Sequence, residues 1–326
     1  MAEIAIIVIL AACYGFMNGL HGSASIVSTL ISSRAMNPRG ALLLASLGVM
    51  AGPFLFGAAV ASTIGAELID PMAATVPVVI AALTVTIVWN WATLRLGLPT
   101  SASQALIGSL IGAAWAGYGQ AAILPGGLAK SILGLFLSPL LGLIAGYFVT
   151  RGLWWWGGFT SPNINRWFKR GQILLSVLMA ATFGSNDGQK VMGVIIIGLV
   201  ATGFATSFTL PVWVIAVSAG AMGIGTFIGG WPLIHTLANK FYKIRPIEGF
   251  GALATAVSVL ASMSAVGGPV SSSQVVTSAI VGAGSADRIQ KIRWNEVQRI
   301  LLGWGFTIPA TAVLSAGLYL LIGVFS

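Results

Sequence analysis

The chain is a succession of long apolar runs separated by short polar connections. The runs fall at about 3–33, 40–62, 72–94, 97–118, 128–150, 171–202, 208–231, 247–266, 268–286 and 299–325. Most approach the roughly 20 residues that a helix needs to cross a bilayer. The short alternating segments of a transmembrane barrel do not occur. The pattern therefore predicts an all-α polytopic membrane protein of about ten membrane segments, including broken helices or helical hairpins. The first and sixth runs exceed the length of a crossing and carry Gly and polar residues midway. That predicts a break or a tilt in each, and the breaks are where a site could form.

Composition sharpens the class. Of 326 residues 57% are hydrophobic and 7% charged, against about 25% charged in an ordinary soluble domain. The N-terminus carries Glu3 and no basic residue before its apolar run, so it lacks the charged region of a cleaved signal peptide and is expected to remain as the first span. The single cysteine, Cys13, can form no internal disulfide and reads as a small buried apolar residue. The net charge of +9 lies in short connections, where topology accounts for it without nucleic acid.

The connections alternate in charge. Arg34 and Arg39 mark the first, Arg95 the third, and Arg151, Arg166, Lys169 and Arg170 the fifth, whereas the second has Glu67 and Asp70 and the fourth only Lys130 at its edge. In the second half, 235–246 carries Lys240, Lys243 and Arg245, and 287–298 carries Arg288, Lys291 and Arg293. If every segment crosses, the basic connections share one face. The positive-inside rule makes that face cytoplasmic and both termini extracytoplasmic. An odd number of crossings per half is what inversion of the second half relative to the first requires. The predicted division is a first inverted repeat at 1–150, a short cytoplasmic linker at 151–170 and a second inverted repeat at 171–326. Trp154, Trp155, Trp156 and Trp167 beside Arg and Lys make the linker an interfacial anchor.

The halves also repeat in sequence. GLPTSASQALIGSLIGAA at 97–114 lies 170 residues before GGPVSSSQVVTSAIVGAG at 267–284, pairing Pro99 with Pro269, Ser101 with Ser271, Ser103 with Ser273 and Gln104 with Gln274. More weakly, NGLHGSASIVST at 18–29 lies about 165 residues before GSNDGQKVMGVI. Paired, Gly/Pro-interrupted segments in two inverted halves point to a secondary transporter's midplane site. A Pro followed by Ser, Ser and Gln supplies a helix start whose N–H groups and positive dipole end suit an anion. Small residues that merely let helices pack closely are the competing account, as at Gly48 and Gly52, Gly108 and Gly112, or Gly225 and Gly229.

The most unusual stretch is ATFGSNDGQKVMG at 181–193, which puts Asn186, Asp187, Gln189 and Lys190 inside an apolar run. Ionisable residues at membrane depth are costly and usually line a substrate or ion path. The alternative is that Asp187 and Lys190, three apart on a helix, pair with each other and hold the bundle together.

These residues carry a family likeness. GSNDGQKVMGV resembles the second-half signature of the inorganic phosphate transporter (PiT) family of secondary permeases, and NGLHGSASIVSTLISSRAMNPRGALLLA resembles its first-half signature. The two Pro-Ser stretches and EGFGA at 248–252 correspond as well, so the likeness spans nearly the whole chain. It implies uptake of inorganic phosphate across the cytoplasmic membrane, coupled to protons or sodium. Asn186 and Asp187 match the family's Asn-Asp, and Ser101, Ser103, Ser271, Ser272 and Ser273 match its phosphate-facing hydroxyls. The expected substrate set is completed by Gln104, Gln274, Ser23 and Ser25, and the cation-coupling set is Asp187, Asn18 and Glu248. No cofactor is expected beyond a sodium ion at Asp187, and a homodimer is compatible with the reading.

One departure bears on the substrate. Where the family's first motif usually has Asp after His, this chain has Gly22, so Asp187 lacks its symmetric partner. Hydrogen phosphate offers a P–OH donor and benefits from a carboxylate acceptor, whereas sulfate is acceptor only. Asp187 can still accept, which favours phosphate, with a sulfate permease of the same family as the alternative and an anion channel behind it. His21 could relay a proton or be a hydrogen-bonded helix-end histidine. His235 reads as interfacial, and Glu248 as a charge that complements a helix N-terminus. An enzyme is not expected: a membrane aspartyl protease needs two apposed carboxylates, and two His and one Cys far apart make no zinc cluster.

Overall fold

Apolar runs become helices because a backbone in hydrocarbon must satisfy its own N–H and C=O groups. The computed structural model describes residues 1–55, 59–157, 164–205 and 207–325. In order the helices are α1 (Ala2–Ser32), α2 (Pro38–Leu55), α3 (Ala59–Ser62), α4 (Val76–Leu96), α5 (Ala102–Tyr118), α6 (Pro125–Gly157), α7 (Ile164–Ala201), α8 (Val212–Ile228), α9 (Trp231–His235), α10 (Pro246–Ala265), α11 (Ser272–Asp287) and α12 (Trp294–Phe325). α3 and α9 each run on into a π-helical turn, Thr63–Glu67 and Thr236–Lys240. Among the described residues six helices are long and apolar enough to cross a membrane, and α8 with α9, bent by 58°, passes the same test as a pair, as a broken span or a re-entrant loop. The protein is a multi-pass, all-α membrane protein. Among the described residues the only extended pairing is an isolated bridge between Ile69 and Ile123.

That bridge shows how α4 and α5 are arranged. The Asp70 N–H donates to Ala122 O at 2.9 Å and the Leu124 N–H to Leu68 O at 3.1 Å. The chain thus leaves for α4 and returns from α5 at the same end of the molecule, as a hairpin. α10 and α11 do likewise: the Arg293 N–H donates to Phe241 O at 3.2 Å, and Arg245 lies 4.0 Å from Asp287. The two hairpins enter from opposite ends. α6 starts beside the base of the first hairpin, through Leu124, passes the second hairpin's tip where Gly134 abuts Pro269, and reaches its base where Arg151 donates to Ala286 O at 3.3 Å. α12 mirrors this on α5: the Trp304 indole donates to Pro99 O at 2.9 Å, and Gly112 faces the Ala312 carbonyl further along. Each tip follows a left-handed glycine, Gly97 at φ 63° and Gly267 at φ 68°, a backbone turn that a side chain would strain.

The element order of α1–α6 recurs in α7–α12, down to the π-helical turns and the prolines inside α6 and α12, Pro139 and Pro309, 170 residues apart. This is compatible with two inverted repeats. The halves interlock: α1 packs on α8, α2 on α7, α5 on α12 and α11 on α6. The predicted small-residue contacts lie at these seams, with Gly52 against the Ala181 carbonyl, Gly108 against Ile308 and Gly225 against the Phe16 carbonyl.

Three expectations need correction. α1 and α7 are unbroken over 31 and 38 residues; the sharp bend lies between α8 and α9 instead. Helical backbone bonds are too costly to give up in hydrocarbon for a few glycines, so these helices overrun the bilayer, α7 reaching about 57 Å. The segments 72–94, 97–118, 247–266 and 268–286 form hairpin arms with buried tips, so they are not four independent crossings. Cys13 is exposed, because it sits on the outward face of α1. As for the predicted linker, α6 runs to Gly157 and α7 starts at Ile164, and 158–163 lies outside the described residues.

Candidate functional site

The two hairpin tips converge on the middle of α7. Ser101 and Ser271 are the N-caps of α5 and α11, each accepting from the N–H three residues on, Gln104 at 3.0 Å and Gln274 at 3.4 Å. Capping fixes both helix starts, so the next hydroxyls, Ser103 and Ser272, project at the same carboxylate. Ser103 Oγ lies 3.3 Å from Asp187 Oδ1, and Ser272 Oγ donates to Oδ2. The tips also touch each other symmetrically: Ser273 Oγ donates to Thr100 O at 3.2 Å, and Ser103 Oγ lies 3.3 Å from Val270 O. Two helix N-termini thus face one anion, the arrangement that a helix dipole favours.

Lys190 sits inside the same cluster, fully buried. Its Nζ donates to Asp187 Oδ1 and to Ser103 Oγ, each at 2.6 Å, and to the Val270 carbonyl. The pairing that the sequence left as an alternative therefore exists. It does not merely join α7 to itself, because its other partners are the tips of both hairpins. Asp187 is 2% exposed, and charges so deep persist only when paired and hydrogen-bonded.

A small cavity adjoins this cluster, lined by Asn18, His21, Gly22, Ala102, Ser103, Phe183, Asp187 and Ser271, Ser272 and Ser273. Its volume is about 10 Å³, roughly the room for one water-sized probe. Of the residues that line it, Asn18 has a buried amide nitrogen without a partner among the described residues, and further unpartnered polar atoms lie on the helices that carry the tips and the carboxylate: the whole Gln104 amide, Asn186 Oδ1 and Gln274 Oε1, with Ser25 Oγ on α1. Buried polar groups are rarely left orphaned, so the unpartnered Asn18 amide at the cavity wall suits a polar ligand.

The other expected residues distribute as follows. Asn186 does not line the cavity and instead holds the second tip, donating to Ser264 Oγ at 2.9 Å and toward Gly268 O at 3.5 Å. Ser23 is engaged elsewhere, accepting from the Gly230 N–H at 2.8 Å and so fixing the bend between α8 and α9. His21 lies within an unbroken helix, its Nδ1 3.0 Å from Met17 O and its Nε2 3.4 Å from Thr93 Oγ1. Glu248 is remote from Asp187: it accepts from the Arg245 N–H at 2.8 Å, closing the first turn of α10 as the helix-dipole reading expects. His235 is exposed at the end of α9.

Glu248 faces a different cavity, of about 770 Å³, at the basic end of the molecule beside Arg34, Lys169, Lys243 and Arg293. Among the described residues no group of three or more His, Cys, Asp and Glu could hold a metal ion.

Sequence reasoning passed over Phe183 and the Val270 carbonyl. A Cβ on Gly22 would overlap the Phe183 ring, so the space beside Gly22 is filled by a side chain of α7. The signal was the repeat itself: at the 165-residue offset Gly22 aligns with Asp187, Asn18 with Phe183 and Ser25 with Lys190.

Comparison with known proteins follows the same lines. A family model described as "Phosphate transporter family" matches residues 18–315. The chain is similar to a Bacillus subtilis protein named "Probable low-affinity inorganic phosphate transporter", 36% identical over 328 residues that cover 98% of this chain and 97% of the other. A Rhizobium meliloti protein of the same name is 34% identical over 315 residues, covering 96% and 94%. Among solved structures it is similar to one described as "The sodium-dependent phosphate transporter", with a TM-score of 0.88, 18% identity and 100% of both chains covered. At that identity the likeness concerns the fold.

Proposed function

Because the chain belongs to the phosphate transporter family, we propose that it carries inorganic phosphate across the cytoplasmic membrane by alternating access, coupled to a proton or sodium, with the hairpin tips as the substrate site. It is a transporter and not an enzyme. The observation that carries the site is the convergence of both hairpin tips, through Ser103 and Ser272, on Asp187. An oxyanion there meets two helix N-termini, the tip hydroxyls and the orphaned amide of Asn18, with Lys190 as counter-charge. Because only about 10 Å³ is open, the tips must part to admit a tetrahedral anion. Two hairpins entering from opposite ends supply one gate toward each side, which is what a carrier needs and a pore does not. Asp187 is the candidate for linking cation to anion, since it is the acidic residue at the tips.

One observation favours a second reading. Both carboxylate oxygens of Asp187 are already engaged, by Lys190, Ser103 and Ser272, which leaves less acceptor capacity for a P–OH group and makes sulfate the competitor to exclude. The test is uptake of labelled phosphate into proteoliposomes against unlabelled sulfate, with proton and sodium gradients imposed separately. Saturable, gradient-dependent phosphate uptake that sulfate does not displace is expected. Displacement at equal concentrations would favour sulfate, and uptake that never saturates or needs no gradient would favour a channel.

A further inference from the structure

We propose that the Lys190 ammonium occupies, as a tethered cation, the place at the hairpin tips that a coupling sodium ion would take, so that transport by this chain does not use sodium. The inference rests on the tips being the substrate site. The three acceptors around Nζ are a carboxylate oxygen of Asp187, the hydroxyl oxygen of Ser103 and the backbone carbonyl oxygen of Val270. Carboxylate, hydroxyl and carbonyl oxygens drawn from three separate elements are what a hard cation gathers around itself. An ammonium has three N–H donors, and here all three are matched. The side chain is fully buried, so no water competes for those bonds.

The repeat supplies an independent argument. At the equivalent place in the first half the carboxylate is replaced by Gly22 and the lysine by Ser25. Acid and ammonium are therefore absent together, as expected if they are one unit, a charge and its counter-ion. The rest of the cradle persists without them, since Ser273 Oγ donates to Thr100 O as Ser103 Oγ approaches Val270 O. In the first half the Phe183 ring fills the space beside Gly22 and leaves no room for a carboxylate to hold a cation.

A sodium ion at this place would put two cations within one small cradle that holds a single carboxylate. Removing the ammonium while keeping Asp187 leaves an oxygen cluster with a negative charge and the volume of a lysine side chain, a site that sodium can then fill.

The test uses purified full-length protein and its Lys190→Ala and Lys190→Gln variants in matched sodium and choline chloride. For the native protein the thermal midpoint is expected to be the same in both salts, and phosphate uptake driven by a pH gradient the same with and without sodium. For Lys190→Ala the midpoint is expected to fall in choline and recover in sodium, since a ligand that binds only the folded state raises it. A native protein whose uptake or midpoint requires sodium overturns the proposal. So does a Lys190→Ala protein that folds and ignores sodium. If neither variant folds, the native comparison still decides. Absence of phosphate uptake under every gradient would count against the transport reading alone, because the thermal measurement reports on the cradle directly.

Discussion

Asp187 and Lys190 have to be treated as a pair at the level of single residues. Asp187→Asn on its own leaves the Lys190 ammonium buried without its carboxylate, and breaking a buried pair in this way typically costs about 3–5 kcal/mol. The single variant is therefore expected to lose both uptake and thermal stability. The double variant Asp187→Asn with Lys190→Gln removes both charges, and should recover most of the stability while uptake remains at least roughly tenfold down and insensitive to imposed gradients. Gradient-driven uptake by the double variant at native levels would move coupling away from the pair. The serines separate in the same manner. Ser101→Ala with Ser271→Ala removes two N-caps, about 0.5–2 kcal/mol each, and should show mainly as lost stability. Ser103→Ala with Ser272→Ala removes the hydroxyls on Asp187 and should show mainly as a raised half-saturation concentration for phosphate. A third substitution tests the asymmetry of the halves. Gly22→Asp, which would restore the symmetric carboxylate, meets the Phe183 ring and should reduce folded yield, with Phe183→Ala in the same chain restoring it. Equal yields with and without Phe183→Ala would mean that the ring is free to move aside.

Among elements, the hairpins were the least legible feature. Their arms are as apolar as the true spans, and α4 and α10, at 21 and 20 residues, are long enough to cross. Hydropathy reports length and polarity, and says nothing about where a helix end lies in depth. What the sequence did carry was the repeat of Gly, Pro and Ser at 97–104 and 267–274, which the structure turns into two left-handed glycines, two caps and two tip hydroxyls. The breaks expected in α1 and α7 have a related cause: Gly and polar residues midway in a helix read as interruptions, but here the polar side chains are buried against protein, so the helices lose no backbone bonds. Bare backbone at the seams now has a clear use. Gly112 and Gly282 bring α5 onto α12 and α11 onto α6, each facing a carbonyl of its neighbour. Gly112→Leu or Gly282→Leu should therefore lift a hairpin off its support. The expected result is a lower thermal midpoint, with overpacking of about 1–3 kcal/mol or more, alongside weakened transport. Leucine tolerated at either position would show that the seam is loose.

For the whole molecule, the hairpins change the count of crossings without changing sidedness, because an arm that enters and an arm that returns preserve the parity of two full crossings. Of the 16 Lys and Arg residues, all but Lys130, Lys190 and Arg95 lie in or beside the connections at 33–37, 158–163, 241–245 and 288–293. Those described are drawn to one end, where Ser33 meets Gln172, Gln172 meets Pro246, and Arg34, Lys169, Lys243 and Arg293 surround the large cavity. Lys130 sits toward the opposite end, paired with Glu67 at 3.3 Å, and Arg95 stacks on Trp91 near the first hairpin's tip. Basic connections are retained on the cytoplasmic side, so the large cavity should open there and Gln120, at the base of the first hairpin, should face outward. The check is labelling by a membrane-impermeant maleimide in intact cells, on a Cys13→Ser background because Cys13 is exposed. Gln120→Cys should react at once, and Arg166→Cys only after the membrane is opened. The reverse order of reactivity would put the basic cavity outside, and with it the side from which the second hairpin closes the site.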